Sequence, residues 1–142
     1  MNGYVKTVQE AFDVYLGDGC PAFIKTVWPS LEEGISIILN AGGIPVLAHP
    51  GRYKLPEATP LSQLMKEFHE EGGLGIEVCS GSQRSETEAM LADFARQYGF
   101  YASLGSDFHT IGGGRPRPGE IHTLPADLDP VWKHLPALAG IL

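Results

Sequence analysis

The sequence predicts an α/β protein in which parallel strands alternate with helices. Three short apolar runs bounded by glycine each follow a segment with helical periodicity. Successive strands are therefore joined through helices, which is the crossover connection that parallel pairing requires. The 142 residues, 43% of them hydrophobic, are enough for one domain with a sizeable core. We expect a small parallel sheet covered by helices.

Four segments have the apolar spacing of amphipathic helices, and each is followed by glycine. They lie at about residues 5–16, 31–41, 61–71 and 85–98. The second and fourth open with serine followed three residues later by glutamate, at Ser30 and at Ser85, which predicts a capping box at each. A further short helix is expected near residues 129–135, ending at Pro136.

The strands are predicted at residues 44–48, 74–79 and 100–105. Pro45 weakens the first strand because it removes one donor of the hydrogen-bond ladder. The domain map that follows is an inserted helical segment with its connection, three helix–strand units, and a Gly/Pro-rich loop with a terminal helix. These parts occupy residues 1–29, 30–109 and 110–142 of a single partial domain.

Charge and targeting patterns narrow the class of protein. The net charge is −7, so no broad surface for nucleic-acid backbone is expected, and any phosphate must be held locally. No apolar run approaches the ~20 residues of a membrane span, and the first residues lack a signal-peptide pattern, so we expect a cytoplasmic protein. Cys20 and Cys79 are far apart and are interpreted as reduced thiols.

Chemistry-bearing side chains follow the predicted strands. His49 comes directly after the first strand, Glu77 lies late in the second, and Asp107 and His109 follow the third. In parallel sheets these strand ends meet at one edge, where sites are built. In an extended segment, residues two apart point the same way, so Asp107 and His109 can reach one point. Imidazole nitrogen with carboxylate oxygen indicates Zn²⁺, Mn²⁺ or Fe²⁺.

Each of these residues also has an ordinary structural interpretation. A histidine after a strand often caps a turn, and an aspartate is a common turn former. Glu77 is either a site residue or a buried acid satisfied by hydrogen bonds. Arg52 either grips a phosphate with its guanidinium fork or is a solvated loop cation. The remaining histidines are interpreted as structural or surface residues: His69, His122 and His134.

The segments "GGIPVLAHPGRY", "GIEV" and "GSDFH", in this order, resemble the C-terminal half of PHP-domain metal-dependent phosphoesterases. The resemblance is strongest to the bacterial branch that dephosphorylates nucleoside 3′,5′-bisphosphates and trims short RNA from the 5′ end. "VKTVQEAFDVYLGDGCPAFI" is similar to the segment inserted in that branch. The resemblance implies the C-terminal part of a distorted (β/α)₇ barrel. It implies His49, Asp107 and His109 as ligands of two or three Mn, Zn or Fe ions, and Arg52 as the catalytic, phosphate-contacting residue.

The implied activity is hydrolysis of nucleotide or RNA phosphomonoesters by a metal-bound hydroxide, on a small phosphomonoester or a short RNA 5′ end. The family's His-x-His motif has no counterpart, since the first histidine is His49, so we expect this chain alone to be inactive. We also expect self-association, or pairing with an N-terminal half. The alternatives are a non-catalytic fragment that binds phosphate or one metal weakly, and a phosphatase for another phosphomonoester such as histidinol phosphate.

Overall fold

Three parallel strands form one sheet in the order of the chain: β1 (Val46–Leu47), β2 (Gly75–Ser80) and β3 (Tyr101–Gly105). The structure is a computed structural model, and it describes residues 3–81, 83–111, 114 and 116–135. Both strand pairs are parallel, and a helix lies between consecutive strands. The predicted fold class, parallel strands alternating with helices, is confirmed.

The helices of the described residues are α1 (Val8–Ala11), α2 (Leu31–Asn40), α3 (Leu61–Glu70) and α4 (Ser85–Tyr98). A π-helical turn, Phe12–Leu16, continues α1, and short 3₁₀ turns lie at Pro50–Arg52 and Val131–His134. The last of these corresponds to the short helix predicted near residues 129–135, whose expected stop at Pro136 falls outside the described residues. None of the described helices has the length and apolar composition that a membrane crossing requires.

The two predicted capping boxes have different outcomes. At α2 the box is present, because Ser30 Oγ accepts from the Glu33 N–H at 3.1 Å and the Glu33 carboxylate accepts from the Ser30 N–H at 2.8 Å. At α4 the prediction is wrong: Ser85 is already helical, and Arg84 occupies the cap without a side-chain hydrogen bond. The Glu88 carboxylate instead accepts from His122 Nδ1 at 3.0 Å.

β1 is shorter than the predicted strand at residues 44–48 because of Pro45. Pro45 has no N–H to donate, and its carbonyl oxygen accepts from both Leu74 N–H and Gly75 N–H, at 3.1 and 3.0 Å. These bonds attach the chain before β1 to the start of β2 without continuing a regular ladder. Only two residues of β1 therefore pair with β2, Val46 opposite Gly75 and Leu47 opposite Ile76.

The core lies between the sheet and the helices α3 and α4. Its buried side chains come from these helices and from the strands and their flanks: Met65, Phe68, Ile76, Val78, Leu91, Ala92, Ala95, Phe100 and Ala102. A bulge interrupts the pairing of β2 with β3, because Glu77 lies opposite Ser103 whereas Cys79 lies opposite Leu104. Val78 is the extra residue, and such bulges re-aim neighbouring side chains. The division of the chain at residues 29 and 109 stays a prediction.

Candidate functional site at the carboxyl ends of the strands

An arginine joins the ends of all three strands. Arg52 lies on the 3₁₀ turn after β1, and its Nη2 donates to the carbonyl oxygen of Ser80, the last residue of β2, at 3.1 Å. Its Nη1 forms an ion pair with Asp107, two residues beyond β3. The two charged side chains are 26% and 20% exposed. The sheet edge therefore brings Arg52 and Asp107 together, as the position of each after a strand predicts.

The ion pair limits which charged groups of its two residues can bind a metal ion or a phosphate. The Asp107 carboxylate, predicted as a metal ligand, is here balanced by a guanidinium. The Arg52 guanidinium, predicted to contact phosphate, donates from one nitrogen to Asp107 and from another to the Ser80 carbonyl oxygen. Partly buried pairs of this kind are screened less than surface pairs. In this arrangement the two residues satisfy each other.

His49 is held by its backbone as well as its ring. The His49 N–H donates to Glu77 Oε2 at 2.5 Å, and the residue has left-handed dihedrals of φ 37° and ψ 50°. Glu77 is partly buried and accepts this hydrogen bond, which favours the second of the two interpretations left open by the sequence. Its carboxylate ties the chain after β1 to the middle of β2.

The imidazole of His49 has an unsatisfied buried atom. Within the described residues, Nδ1 is buried and has no hydrogen-bond partner. The ring meets the ring of Tyr53 edge to face, with centroids 6.1 Å apart, and the Tyr53 hydroxyl donates to the Ala48 carbonyl oxygen at 2.9 Å. Burial, and secondarily the charge of Glu77, raises the pKa of Tyr53. A buried nitrogen without a partner is costly, and a bound ion or water would satisfy it.

His109 does not point where an extended segment would place it. Asp107 has a left-handed φ of 53°, so the expected extended geometry from Asp107 to His109 is wrong. His109 Nδ1 donates instead to the carbonyl oxygen of Asp107 at 2.7 Å, and lies 3.7 Å from Asp107 Oδ1. The His109 ring is 73% exposed. It lies beside Asp107 through a local turn rather than through a shared ligand geometry.

These residues fit a metal ion only in part. Imidazole nitrogen and carboxylate oxygen are suitable ligands for Mn, Zn or Fe, and His49 Nδ1 lacks a partner among the described residues. However, Asp107 is paired with Arg52, and no three His, Cys, Asp or Glu side chains of the described chain are grouped to hold one ion. The donors have the required chemistry, but the described arrangement does not fit a complete metal site.

Sequence reasoning missed the residues that support the turn after β1. The Gln83 side-chain amide donates to the Val78 carbonyl oxygen at 2.7 Å, and Gln83 Oε1 is buried against Gly51. A Cβ on Gly51 would lie 2.9 Å from Gln83 Oε1 and 2.5 Å from Thr87 Cγ2. The turn therefore packs closely on the start of α4. The glycine in "AHPGRY" was the available signal.

The other histidines lie in structural or surface positions, as interpreted from the sequence. Their partners are Tyr98 and Phe100 for His69, Glu88 for His122, and Asp129 and Tyr101 for His134.

The chain is similar to PHP-type phosphoesterases over about half of their length, which confirms the resemblance seen in the sequence. The chain is 40% identical over 136 residues to a 3′,5′-nucleoside bisphosphate phosphatase of Chromobacterium violaceum, covering 96% of this chain and 47% of that protein. It is 36% identical over 135 residues to the 5′-3′ exoribonuclease Rnm of Escherichia coli, covering 92% and 44%. The chain thus spans under half the length of the curated relatives it matches.

Two solved structures are also similar to this chain. An amidohydrolase from Chromobacterium violaceum, with bound sulfate and no metal, superposes with a TM-score of 0.74 at 39% identity, covering 95% of this chain and 46% of that one. A protein of Bifidobacterium adolescentis described as a metal-dependent phosphoesterase gives 0.59 at 26% identity, covering 92% and 43%. No protein-family model matches the chain.

Proposed function

We propose that this chain forms one side of a metal-dependent phosphoesterase site that hydrolyses nucleotide or RNA phosphomonoesters. Its substrate would be a nucleoside 3′,5′-bisphosphate or the 5′ end of a short RNA, as the names of the relatives suggest. The observation that carries the proposal is the half-buried Arg52 guanidinium, which joins the ends of three neighbouring parallel strands. A catalytic site in this fold class is built at that edge.

Arg52 would act on the phosphoryl group through its guanidinium fork. Such a fork matches two phosphoryl oxygens and stabilises charge that develops on them. In the described arrangement, Asp107 occupies one side of the fork, so phosphate competes with this carboxylate for Arg52. Phosphate binding would therefore release Asp107, and a cation that takes up Asp107 would in turn free Arg52, because such coupling is reciprocal.

The metal-ligand roles of His49, Asp107 and His109 remain predictions. His49 is supported by its buried Nδ1, which lacks a partner within the described residues. Asp107 is supported by its place beside Arg52 at the strand ends, and His109 by its position next to Asp107. Because the described residues do not assemble a complete ion site, no reaction step is assigned to a metal held by this chain alone.

A second candidate is a non-catalytic chain that binds phosphate weakly. The Arg52–Asp107 pair favours it, because each charge is already neutralised by the other. A phosphatase acting on another small phosphomonoester, such as histidinol phosphate, would use the same strand-end residues and differs only in its substrate profile.

A chimera tests the proposal. In it, this chain replaces the matching segment of the Chromobacterium violaceum phosphatase, which is 40% identical. We expect the chimera to hydrolyse a nucleoside 3′,5′-bisphosphate with Mn²⁺, and Asp107→Ala to lower kcat/KM by more than about tenfold. Asp93→Ala is the matched control, since this aspartate is 78% exposed on α4.

The outcomes separate the candidates. An active chimera in which Asp107→Ala keeps kcat/KM within tenfold would contradict the assigned site. A chimera that folds but does not turn over either substrate type would favour the non-catalytic candidate. We expect the 142-residue chain assayed alone to give no turnover.

A further inference from the structure

We propose that Glu77 is a positioning residue, whose carboxylate holds the backbone of His49 in its left-handed conformation and so places the imidazole at the sheet edge. The consequence for activity rests on the proposed function. The positioning itself is a property of the fold.

The first observation is the contact. Glu77 Oε2 accepts from the His49 N–H at 2.5 Å in a partly buried setting, between residues 28 positions apart. Hydrogen bonds to an ionised acceptor are short and about twice as strong as neutral ones. Backbone pairing of β1 with β2 ends at Leu47 opposite Ile76. The Glu77 side chain therefore continues the attachment of the chain to β2 beyond the point where the ladder ends.

The second observation is the conformation that this hydrogen bond supports. His49 has φ 37° and ψ 50°, the left-handed region, which is strained for a residue other than glycine. Pro50 follows, and a residue before proline prefers extended dihedrals. Local sequence thus favours an extended His49, and the observed turn requires contacts from elsewhere in the chain. The Glu77 carboxylate supplies one, and within the turn itself the Arg52 N–H donates to the His49 carbonyl oxygen at 3.0 Å.

The third observation is the space made for the carboxylate. A Cβ on Gly105, at the end of β3, would lie 2.8 Å from Glu77 Oε1. Only glycine leaves that oxygen its present place. On the other side, the bulge at Val78 directly follows Glu77 and sets its direction relative to β3. The features around Glu77 thus agree with one carboxylate position.

The positioning by Glu77 bears on the orientation of the His49 imidazole. His49 Nδ1 is buried and has no partner within the described residues, so the ring is held in place without a hydrogen bond to that atom. Since Nδ1 makes no hydrogen bond, the ring is oriented by its backbone and by the edge-to-face contact with Tyr53. Loss of the Glu77 carboxylate would let His49 relax toward the extended conformation and turn the ring away from the edge.

Hydrogen exchange and chemical shifts of the His49 amide, measured on the 142-residue chain by NMR, test this inference. Glu77→Leu removes the acceptor, and we expect the His49 amide to exchange about tenfold faster or more. Glu77→Gln keeps a carbonyl acceptor and should stay within a few-fold of the natural chain. Gly105→Ala displaces the carboxylate without removing it and should shift the His49 amide signal in the same direction as Glu77→Leu.

Gly34→Ala is the matched control for Gly105→Ala, because nothing lies within 4 Å of its added Cβ. Unchanged exchange and shift of the His49 amide in folded Glu77→Leu and in Gly105→Ala would overturn the inference. If Glu77→Leu does not fold, the exchange and shift of the His49 amide in Gly105→Ala decide it.

Activity gives an independent readout in the active chimera, where Glu77→Leu should lower kcat/KM and Glu77→Gln should restore it to within a few-fold. A chimera that is inactive in every form would count against the proposed function, while the His49 amide would still decide the role of Glu77. Equal losses for Glu77→Leu and Glu77→Gln would contradict the hydrogen-bond role.

Discussion

Cys79 shows how burial alters the chemistry of a single residue. The thiol lies inside β2, and burial raises its pKa to about 11, with the charges of Glu88 and Glu77 adding to the effect. Since the raised pKa favours the protonated form, only about one thiol in a thousand is ionised at pH 8, where a thiolate is needed for alkylation. We expect iodoacetamide to modify Cys20 rapidly and Cys79 only after unfolding in urea, as followed by mass spectrometry.

Cys20→Ser is the control for this experiment, and it should remove the rapid modification of the folded chain. Because the pKa is raised, the thiolate fraction of Cys79 should increase only as the pH approaches about 11. Alkylation of Cys79 at pH 8 at the rate of Cys20 would contradict its burial.

At the same scale, the sequence predicted that residues following the strands share one sheet edge, but not how they are paired. Position after a strand was enough to bring Arg52 and Asp107 to one edge, because parallel strands end together. Their mutual ion pair was not predicted, and Asp107 has a left-handed φ rather than the extended geometry expected from the sequence. The similar turn at His49 opposes its local preference before proline and depends on Glu77, 28 residues away.

At the scale of elements, the turn that follows α3 packs so closely on the core that it has no room for a side chain at Gly73. A Cβ on Gly73 would lie 2.4 Å from ring atoms of Phe68, which is buried and packs on Phe100 with centroids 5.6 Å apart. The ring cannot move aside freely, so Gly73→Ala should destabilise the protein by about 1–3 kcal/mol. Urea unfolding measures this change.

Gly34→Ala is the matched comparison and should have the opposite sign. Gly34 lies inside α2, where nothing is within 4 Å of an added Cβ, and replacing glycine in a helix gains about 0.5–1 kcal/mol. If both variants shift the urea midpoint in the same direction, the packing of Phe68 against Gly73 is not as described.

Elements were largely predictable because their signals are local. Helical periodicity located α2, α3 and α4, and glycine-bounded apolar runs located the three strands. The errors came from distant partners. Pro45 shortened β1 through bonds from Leu74 and Gly75, and Glu88 pairs with His122, 34 residues away, rather than capping α4.

At the scale of the whole molecule, the surface beside the open edge of the sheet is apolar. Within the described residues β1 pairs only with β2, so its other edge is open. Beside it lies an apolar groove between α2 and β1, lined by residues that include Trp28, Leu31, Ile35, Ile38, Val46 and Leu47. Trp28 is 80% exposed and Ile38 is 40% exposed. Open strand edges and contiguous apolar surface favour association with another chain.

We therefore expect this chain, studied alone, to self-associate through that groove at micromolar concentrations. Its sedimentation coefficient should then increase with protein concentration. Ile38→Glu places a charge in the groove and should shift the equilibrium toward the monomer, because a charge cannot be buried there unpaired. Ile111→Glu is the control: Ile111 is 85% exposed in the loop after β3 and does not line the groove. Equal effects of the two substitutions would show that association depends on general hydrophobicity, and a monomer at every concentration would show that α2 and β1 do not form a self-complementary surface.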